Sequence, residues 1–380
     1  PTLNSHSSSL IRFARMECIP RAAAIHRRPF FFDLPEAFLS DADVQDVQVT
    51  CTARCESAAE LPTLNSHMRS WASTATGEEP NADDQSLCED ESWFLDGEEY
   101  FPIQYIGQGG FGQVYMLQHA SSGDVYAAKS NHAHIENLKW EAEVLEQLRH
   151  LNGFPAPHGF HVVDGHAVLL MECLGLDLDR LQELCGGRFS LKTVLYIAMQ
   201  VLQRLEDLHA NGLIHQDIKP SNFAIDNNDF DPMIFALDLG LAAEFRDPVT
   251  KRHIPLQRDV GFTGSPYFAS RHAHKGWSQS RRDDLEAAGY MLIALLQGNL
   301  PWQRQTSESE LSLDNCAKQK SLLPLQFICK DCPKEFQLYL EYCRNLKFAE
   351  EPDYRYLQGL FQKMFEDAGF HNDGVFDWCV

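Results

Sequence analysis

Apolar residues follow one rhythm early in the central part of the chain and another immediately afterwards. Gln113 to Leu117 reads as a strand, Ser121-Ser122-Gly123-Asp124 as a turn, and Val125 to Lys129 as the returning strand of a hairpin. From Asn137 to Arg149 the spacing becomes helical: Leu138, Leu145 and Leu148 fall at i, i+7 and i+10 on one face. Phe235-Ala236-Leu237 is a short apolar strand, and Ala287 to Leu296 is apolar all round, as a helix through the middle of a large lobe should be. Ser280 followed by Asp283 offers that helix a capping box. The order predicts an α+β architecture with a small, mainly β lobe over residues 93–172 and a larger helical lobe over 175–380.

Residues 1–92 carry no such pattern and are expected to be a low-structure extension. Pro1 to Phe32 holds five arginines and one acidic residue among many small and serine residues, similar to an organelle transit peptide. Pro1-Thr2-Leu3-Asn4-Ser5-His6 recurs identically at Pro62 to His67, with nothing duplicated after it. Glu78 to Glu91 is acidic, suited either to solvating a linker or to competing for a substrate groove as a pseudosubstrate.

Charge and composition narrow the classes of partner. The chain of 380 residues is 44% hydrophobic, and no apolar run approaches the roughly eighteen residues a membrane span needs. Net charge is −22, with 7 basic and 15 acidic side chains in the first 92 residues and 25 and 39 in the rest. That balance disfavours nucleic acid and anionic membranes as partners. Eleven cysteines, an odd number and scattered, suit a reducing compartment, so the expected location is cytoplasm or nucleus, with organelle import the alternative raised by the N-terminus. Cys329-Lys330-Asp331-Cys332 resembles half a zinc site, with Cys316 and Cys343 as further thiols, but no second pair follows and ordinary thiols are the expected reading.

Candidate chemistry concentrates in His215-Gln216-Asp217-Ile218-Lys219-Pro220-Ser221-Asn222, where aspartate, lysine and asparagine stand at the spacing phosphoryl transfer requires. Upstream, Ile106-Gly107-Gln108-Gly109-Gly110-Phe111-Gly112-Gln113-Val114 has glycines where a backbone can approach phosphates closely. A dinucleotide-binding fold would open a helix after Gly112, whereas this segment continues as a strand, so an oxidoreductase reading fails. Lys129 is the first lysine of the chain, and the next, Lys139, lies inside the predicted helix. Of two possible partners for Lys129, Glu141 falls on the apolar stripe at i+3 from Leu138, while Glu143 lies about 200° around the helix from it. An inward carboxylate needs a partner, which selects Glu141. Asp238-Leu239-Gly240 follows the Phe235 strand, with Asp238 a second candidate magnesium ligand.

Together these segments resemble eukaryotic protein kinases, and further blocks are similar to the casein kinase 1 family: Phe245-Arg246-Asp247-Pro248, His253-Ile254-Pro255, Gln279 to Glu286, Leu300-Pro301-Trp302, Pro352-Asp353-Tyr354 and Val375-Phe376-Asp377-Trp378. Pro220 to Ala224 is closer to the related tau-tubulin kinases. The resemblance implies a bilobal protein-kinase fold over 93–380, and ATP-dependent phosphoryl transfer with Mg2+ to serine or threonine hydroxyls of protein substrates, by a monomer. It implies that Lys129, held by Glu141, positions the phosphates, that Asn222 and Asp238 hold magnesium, and that Asp217 aims the hydroxyl with Lys219 beside it. Ile106, Gly107, Gly109 and Gly112 would cover the nucleotide. Val114, Ala127 and the floor residue Ala224 would enclose adenine, with Met171 as gatekeeper and the Glu172 to Leu174 backbone along its edge. Ala224 is smaller than the family's usual leucine, so a roomier floor is expected. Asp284 is expected to accept hydrogen bonds from the backbone of the 215–222 loop.

Several positions depart from the family. Gln216 stands where arginine is usual, and Ala243 and Val260 where the family has lysines, so three positions that would converge on one anion are uncharged. The basic stretch after Leu-Pro-Trp reads Ser307-Glu308-Ser309-Glu310-Leu311-Ser312, and Phe268-Ala269-Ser270-Arg271-His272 matches the family's Ser-Ile-Asn variant only in its serine. The chain ends two residues after Trp378 without the family's long tail, which points to constitutive activity. The rival from another class is a pseudokinase scaffold, prompted by Gln216 and Leu239; Lys129, Asp217, Asn222 and Asp238 speak against it.

Overall fold

The computed structural model describes residues 92–109, 112–163, 165–226, 232–303 and 313–379. The N-terminal repeat, the arginine-rich start, the acidic stretch at 78–91, Cys51 and Cys55, Gly110 and Phe111, and Ser307 to Ser312 lie outside them.

The small lobe is a six-stranded antiparallel sheet of β1 (Trp93–Leu95), β2 (Glu98–Gly109), β3 (Gly112–His119), β4 (Val125–Asn131), β5 (Pro157–Val163) and β6 (His166–Glu172). Its order is β1-β2-β3-β4-β6-β5, and the space between β4 and β5 in sequence is filled by α1 (Ile135–Leu148). Residue alternation on β6 divides the packing: Ala167 and Leu169 face α1 and the main core, whereas Val168 and Leu170 join Trp93, Leu95, Tyr115, Leu117 and Ala128 on the opposite side. The predicted helical stripe is buried, with Leu138, Leu145 and Leu148 each at most 2% exposed. The helix starts two residues earlier than its pattern indicates. Asn131 Oδ1 accepts from the Ala133 and His134 N–H groups at 2.8 and 2.9 Å, closing a turn that launches the helix at Ile135.

The large lobe contains α2 (Leu178–Leu184), α3 (Leu191–Ala210), α4 (Arg281–Gln297), α5 (Leu313–Leu322), α6 (Leu325–Ile328), α7 (Lys334–Asn345) and α8 (Tyr354–Asp367). As its all-round apolar sequence predicts, α4 is buried from Arg282 to Leu295. Its N-terminus carries the reciprocal half of the predicted capping box, Ser280 N donating to Asp283 Oδ2 at 2.9 Å. Two short ladders belong to the large lobe: β7 (Leu213–Ile214) with β10 (Ala243–Glu244), and β8 (Phe223–Ile225) with β9 (Ile234–Ala236). They fix both ends of the 215–222 loop. No helix among the described residues is long and apolar enough to cross a membrane. Cys316, Cys329 and Cys343 are buried, free thiols, and no metal-holding group of three or more His, Cys, Asp or Glu side chains exists among the described residues.

Candidate active site

Asp284, the fourth residue of α4, organises the 215–222 loop from below. Its carboxylate accepts from the backbone N–H groups of His215 and Gln216 at 2.7 and 2.9 Å and lies 2.9 Å from His209 Nε2. A buried carboxylate satisfied in this way fixes the loop's path. His215 is clamped in turn: its Nε2 lies 3.0 Å from the Leu237 carbonyl, and the Asp217 N–H points at its Nδ1 at 3.3 Å. Asn222 Nδ2 donates to the Asp217 carbonyl at 2.8 Å and to Asp217 Oδ2 at 3.2 Å, closing the loop on itself.

Asp217 is consequently held on all sides. Lys219 Nζ lies 2.8 Å from Oδ2 and Ser265 Oγ donates to Oδ1 at 2.6 Å. Burial alone would raise its pKa, but the Lys219 charge and the hydrogen bonds from Lys219 and Ser265 outweigh it and hold the carboxyl below the usual range. The group is an ionised acceptor at neutral pH.

A second cluster forms where the lobes meet. Lys129 Nζ lies 2.7 Å from Glu141 Oε2 and 2.6 Å from Asp238 Oδ1, linking β4, α1 and the segment after β9. Burial works against the ammonium, yet the two carboxylates prevail and push Lys129 up to about 12. Glu143, the rejected alternative, is exposed. Asp238 sits in the left-handed region at φ 56°, turning its carboxylate toward Lys129 while Leu239 goes fully into the core. Trp140 and Glu141 tie α1 to the same segment: the indole Nε1 donates to the Ala242 carbonyl at 2.7 Å, and the Leu239 N–H donates to the Glu141 carboxylate.

The remaining candidates lie on the small-lobe sheet, on the segment after β6 and on β8. Gly107 and Gly109 face open space among the described residues, none of which an added Cβ would meet within 4 Å. Gly112 is required for a different reason from the one its spacing suggests: its φ is +132° and an added Cβ would stand 2.3 Å from the Ser130 carbonyl oxygen. Ile106 is exposed on β2, and Val114 pairs with Lys129 across the β3–β4 ladder, with Ala127 beside Met171 on the β4–β6 ladder. Ala224 is 1% exposed on β8. The hinge narrows the expectation for 172–174. The Glu172 N–H is taken by the Ala156 carbonyl at 2.8 Å, whereas the Leu174 N–H has no partner among the described residues. That donor, the open space over Gly107 and Gly109, and the small Ala127 and Ala224 side chains fit an adenine nucleotide. Asp238 Oδ2 and Asn222 Oδ1 also have no partner among the described residues, a one-carboxylate oxygen set suited to magnesium completed by phosphates and water.

Three residues of the site escaped the sequence reading: Ser265, Trp140 and Gly264. The only signal for Ser265 is its place after Thr263-Gly264. Gly264, at φ +104°, lets the chain pass so close to the loop that a Cβ would lie 2.4 Å from the Gln216 carbonyl oxygen. Of the three uncharged positions, Ala243 pairs with Ile214, two residues before Gln216, and Val260 is exposed with its N–H bonded to the Gly276 carbonyl.

A family model for the protein kinase domain matches residues 100–350, and the chain belongs to the protein kinase family. The β-rich small lobe and helical large lobe are the two lobes of a bilobal kinase fold, and the class of reaction is phosphoryl transfer to protein substrates.

Proposed function

We propose that the chain is an ATP- and magnesium-dependent serine/threonine kinase of the casein kinase 1 type, active without phosphorylation of the segment that follows Asp238. One observation carries this reading: Asp217 is ionised and aimed by Lys219 and Ser265, while Lys129, Glu141 and Asp238 are already joined. The blocks from Phe245 to Trp378 support the finer family assignment.

When bound, ATP supplies the γ-phosphoryl group and magnesium offsets the negative charge on its oxygens. Lys129 would hold the α- and β-phosphates, with Glu141 fixing the ammonium in place. Asn222 and Asp238 would hold the metal. Asp217 would accept a hydrogen bond from the substrate hydroxyl, orient it in line, and take its proton as the phosphate ester bond forms at the γ-phosphorus and the bond to the β-phosphate oxygen breaks, ADP being the leaving group. Lys219, 2.8 Å from Asp217, is placed to steady charge on the transferred group.

The deciding experiment is phosphate transfer from ATP to casein, comparing the parent with Asp217→Asn. Loss of orientation and proton acceptance is expected to cost on the order of 10²-fold or more in rate. Equal incorporation by both proteins would establish the scaffold reading instead.

A further inference from the structure

Ser265 touches Asp217, and the residues after it lead away from that carboxylate, next to where a substrate hydroxyl would have to be presented. Pro266 is exposed, and Tyr267 is half-buried. The carbonyls of this segment turn inward and are caught by two side chains from other elements. Lys320 of α5 donates through Nζ to the Pro266 carbonyl at 2.8 Å and to the Ala269 carbonyl at 2.7 Å. Trp302, from the turn after α4, donates through Nε1 to the Tyr267 carbonyl at 2.8 Å. His274 Nε2 lies 3.1 Å from Lys320 Nζ and 3.0 Å from the Pro266 carbonyl, so the three groups share one polar junction.

Packing alone does not require a lysine here. The side chain is fully buried, and its ammonium lies over the Tyr290 and Trp302 rings at 5.1 and 5.2 Å from their centres. Burial pulls its pKa down to about 7, with Arg344 adding to that effect and Glu286 opposing it. A methionine would fill the same slot without the desolvation cost, so what the amino group provides is the grip of its N–H donors on two backbone carbonyls. Behind it the junction is braced: Arg344 donates to the Lys320 carbonyl at 3.1 Å and to Tyr290 Oη at 2.7 Å, and Tyr290 Oη donates to Glu286 at 2.6 Å.

We propose that Lys320, seconded by Trp302, is a positioning residue for substrate recognition: it fixes the segment from Ser265 to Ser270 from behind and so sets affinity for the protein substrate without touching it. The inference rests on the kinase reading of the Asp217 site. It also explains how this segment is held although only Ser270 matches the family's pattern there. The Ser270 hydroxyl secures the far end by donating to Asp283 at 2.6 Å.

The test is steady-state kinetics of Lys320→Met and Trp302→Phe in the full chain, with a casein-derived peptide and ATP varied separately. Lys320→Met is expected to raise the peptide KM roughly tenfold, and Trp302→Phe roughly threefold, while kcat and the KM for ATP stay within about twofold of the parent. Peptide KM unchanged in both variants would overturn the proposal, as would a parallel loss in kcat and ATP affinity, which marks a general structural role. Should Lys320→Met fail to fold, Trp302→Phe alone carries the comparison. A parent that transfers no phosphate would count against the kinase reading itself, a result distinct from a parent that transfers normally while the variants match it.

Discussion

Gln216 is held by its backbone. Its N–H donates to Asp284 Oδ1 at 2.9 Å, its φ of 69° lies in the left-handed region, and Gly264 passes directly against its carbonyl. Each of these constraints acts on atoms that any residue possesses, so exchanging arginine for glutamine leaves the loop geometry intact. What the exchange removes is a guanidinium able to grip an anion bidentately. Ala243 and Val260 remove two further charges. Cations are not absent nearby: Arg258 and Lys275 lie over the Trp277 ring at 4.9 and 5.2 Å, next to the loop that carries Val260. The expected outcome is that one peptide with and without an upstream phosphate differs by no more than about threefold in kcat/KM, and that Gln216→Arg with Ala243→Lys and Val260→Lys raises the ratio beyond about tenfold. A ratio already in the tens for the parent would remove the idea that these three positions govern the preference.

At the scale of elements, α1 governs whether the site is assembled, because it carries Glu141 and packs against both the sheet and the 239–242 segment. Kinase helices in this position must bring their glutamate to the β4 lysine, and here an indole hydrogen bond to Ala242 assists. Trp140→Phe keeps the ring and deletes the donor. Losing one such bond costs about 0.5–1.5 kcal/mol, so kcat/KM should fall about two- to tenfold, and backbone amides of α1 should exchange faster with deuterium. Unaltered exchange and kinetics would mean that Glu141 and Leu239 hold the helix unaided. Glu141 itself was legible in the sequence, because an apolar stripe at helical spacing points a carboxylate inward and Lys129 has no early rival. The β2–β3–β4 hairpins and the buried α4 were equally legible from period and turn residues. Ser265, Trp140 and Lys320 were not, because each acquires its role from a contact far along the chain: Ser265 with Asp217, Trp140 with Ala242, Lys320 with Pro266. In sequence, Lys320 is an ordinary lysine on a polar helix; only the crossing of α5 beneath the 265–270 segment buries it.

For the whole molecule, acid sensitivity should come from desolvated imidazoles, one buried and three partly or largely exposed, before it comes from the active-site carboxylate. His209, His158 and His253 are all held below the usual histidine range, chiefly by burial, and His274 is lowered to about 4 by burial and by the adjacent Lys320 charge. The unfolded chain takes up protons near pH 6.5 that the folded chain refuses, so stability falls as pH drops below about 6.5 and, for His274, keeps falling until about 4. Asp217 acts in the opposite direction and later: its lowered pKa contributes stability above the unfolded carboxyl value, near pH 3.9, which is lost only as pH falls through its folded value. Net charge is −22 at pH 7, and protonating surface carboxylates relieves self-repulsion mainly below about pH 5; between 6.5 and 5 the histidines are opposed by Glu141, Asp177, Asp179 and Glu206, whose carboxyls burial holds above the usual range, so the His274 contribution is read as the difference between parent and variant. At pH 5 the partly exposed His274 should account for about 1 kcal/mol after allowance for solvent screening. Urea unfolding of the parent is therefore expected to shift to lower midpoints between pH 6.5 and 5, and His274→Gln to show a shallower shift of the same sign. An identical pH slope in parent and variant would exclude His274 as a contributor and leave the loss to His158, His253 and His209, the last with its ring 2.9 Å from Asp284 beneath the 215–222 loop.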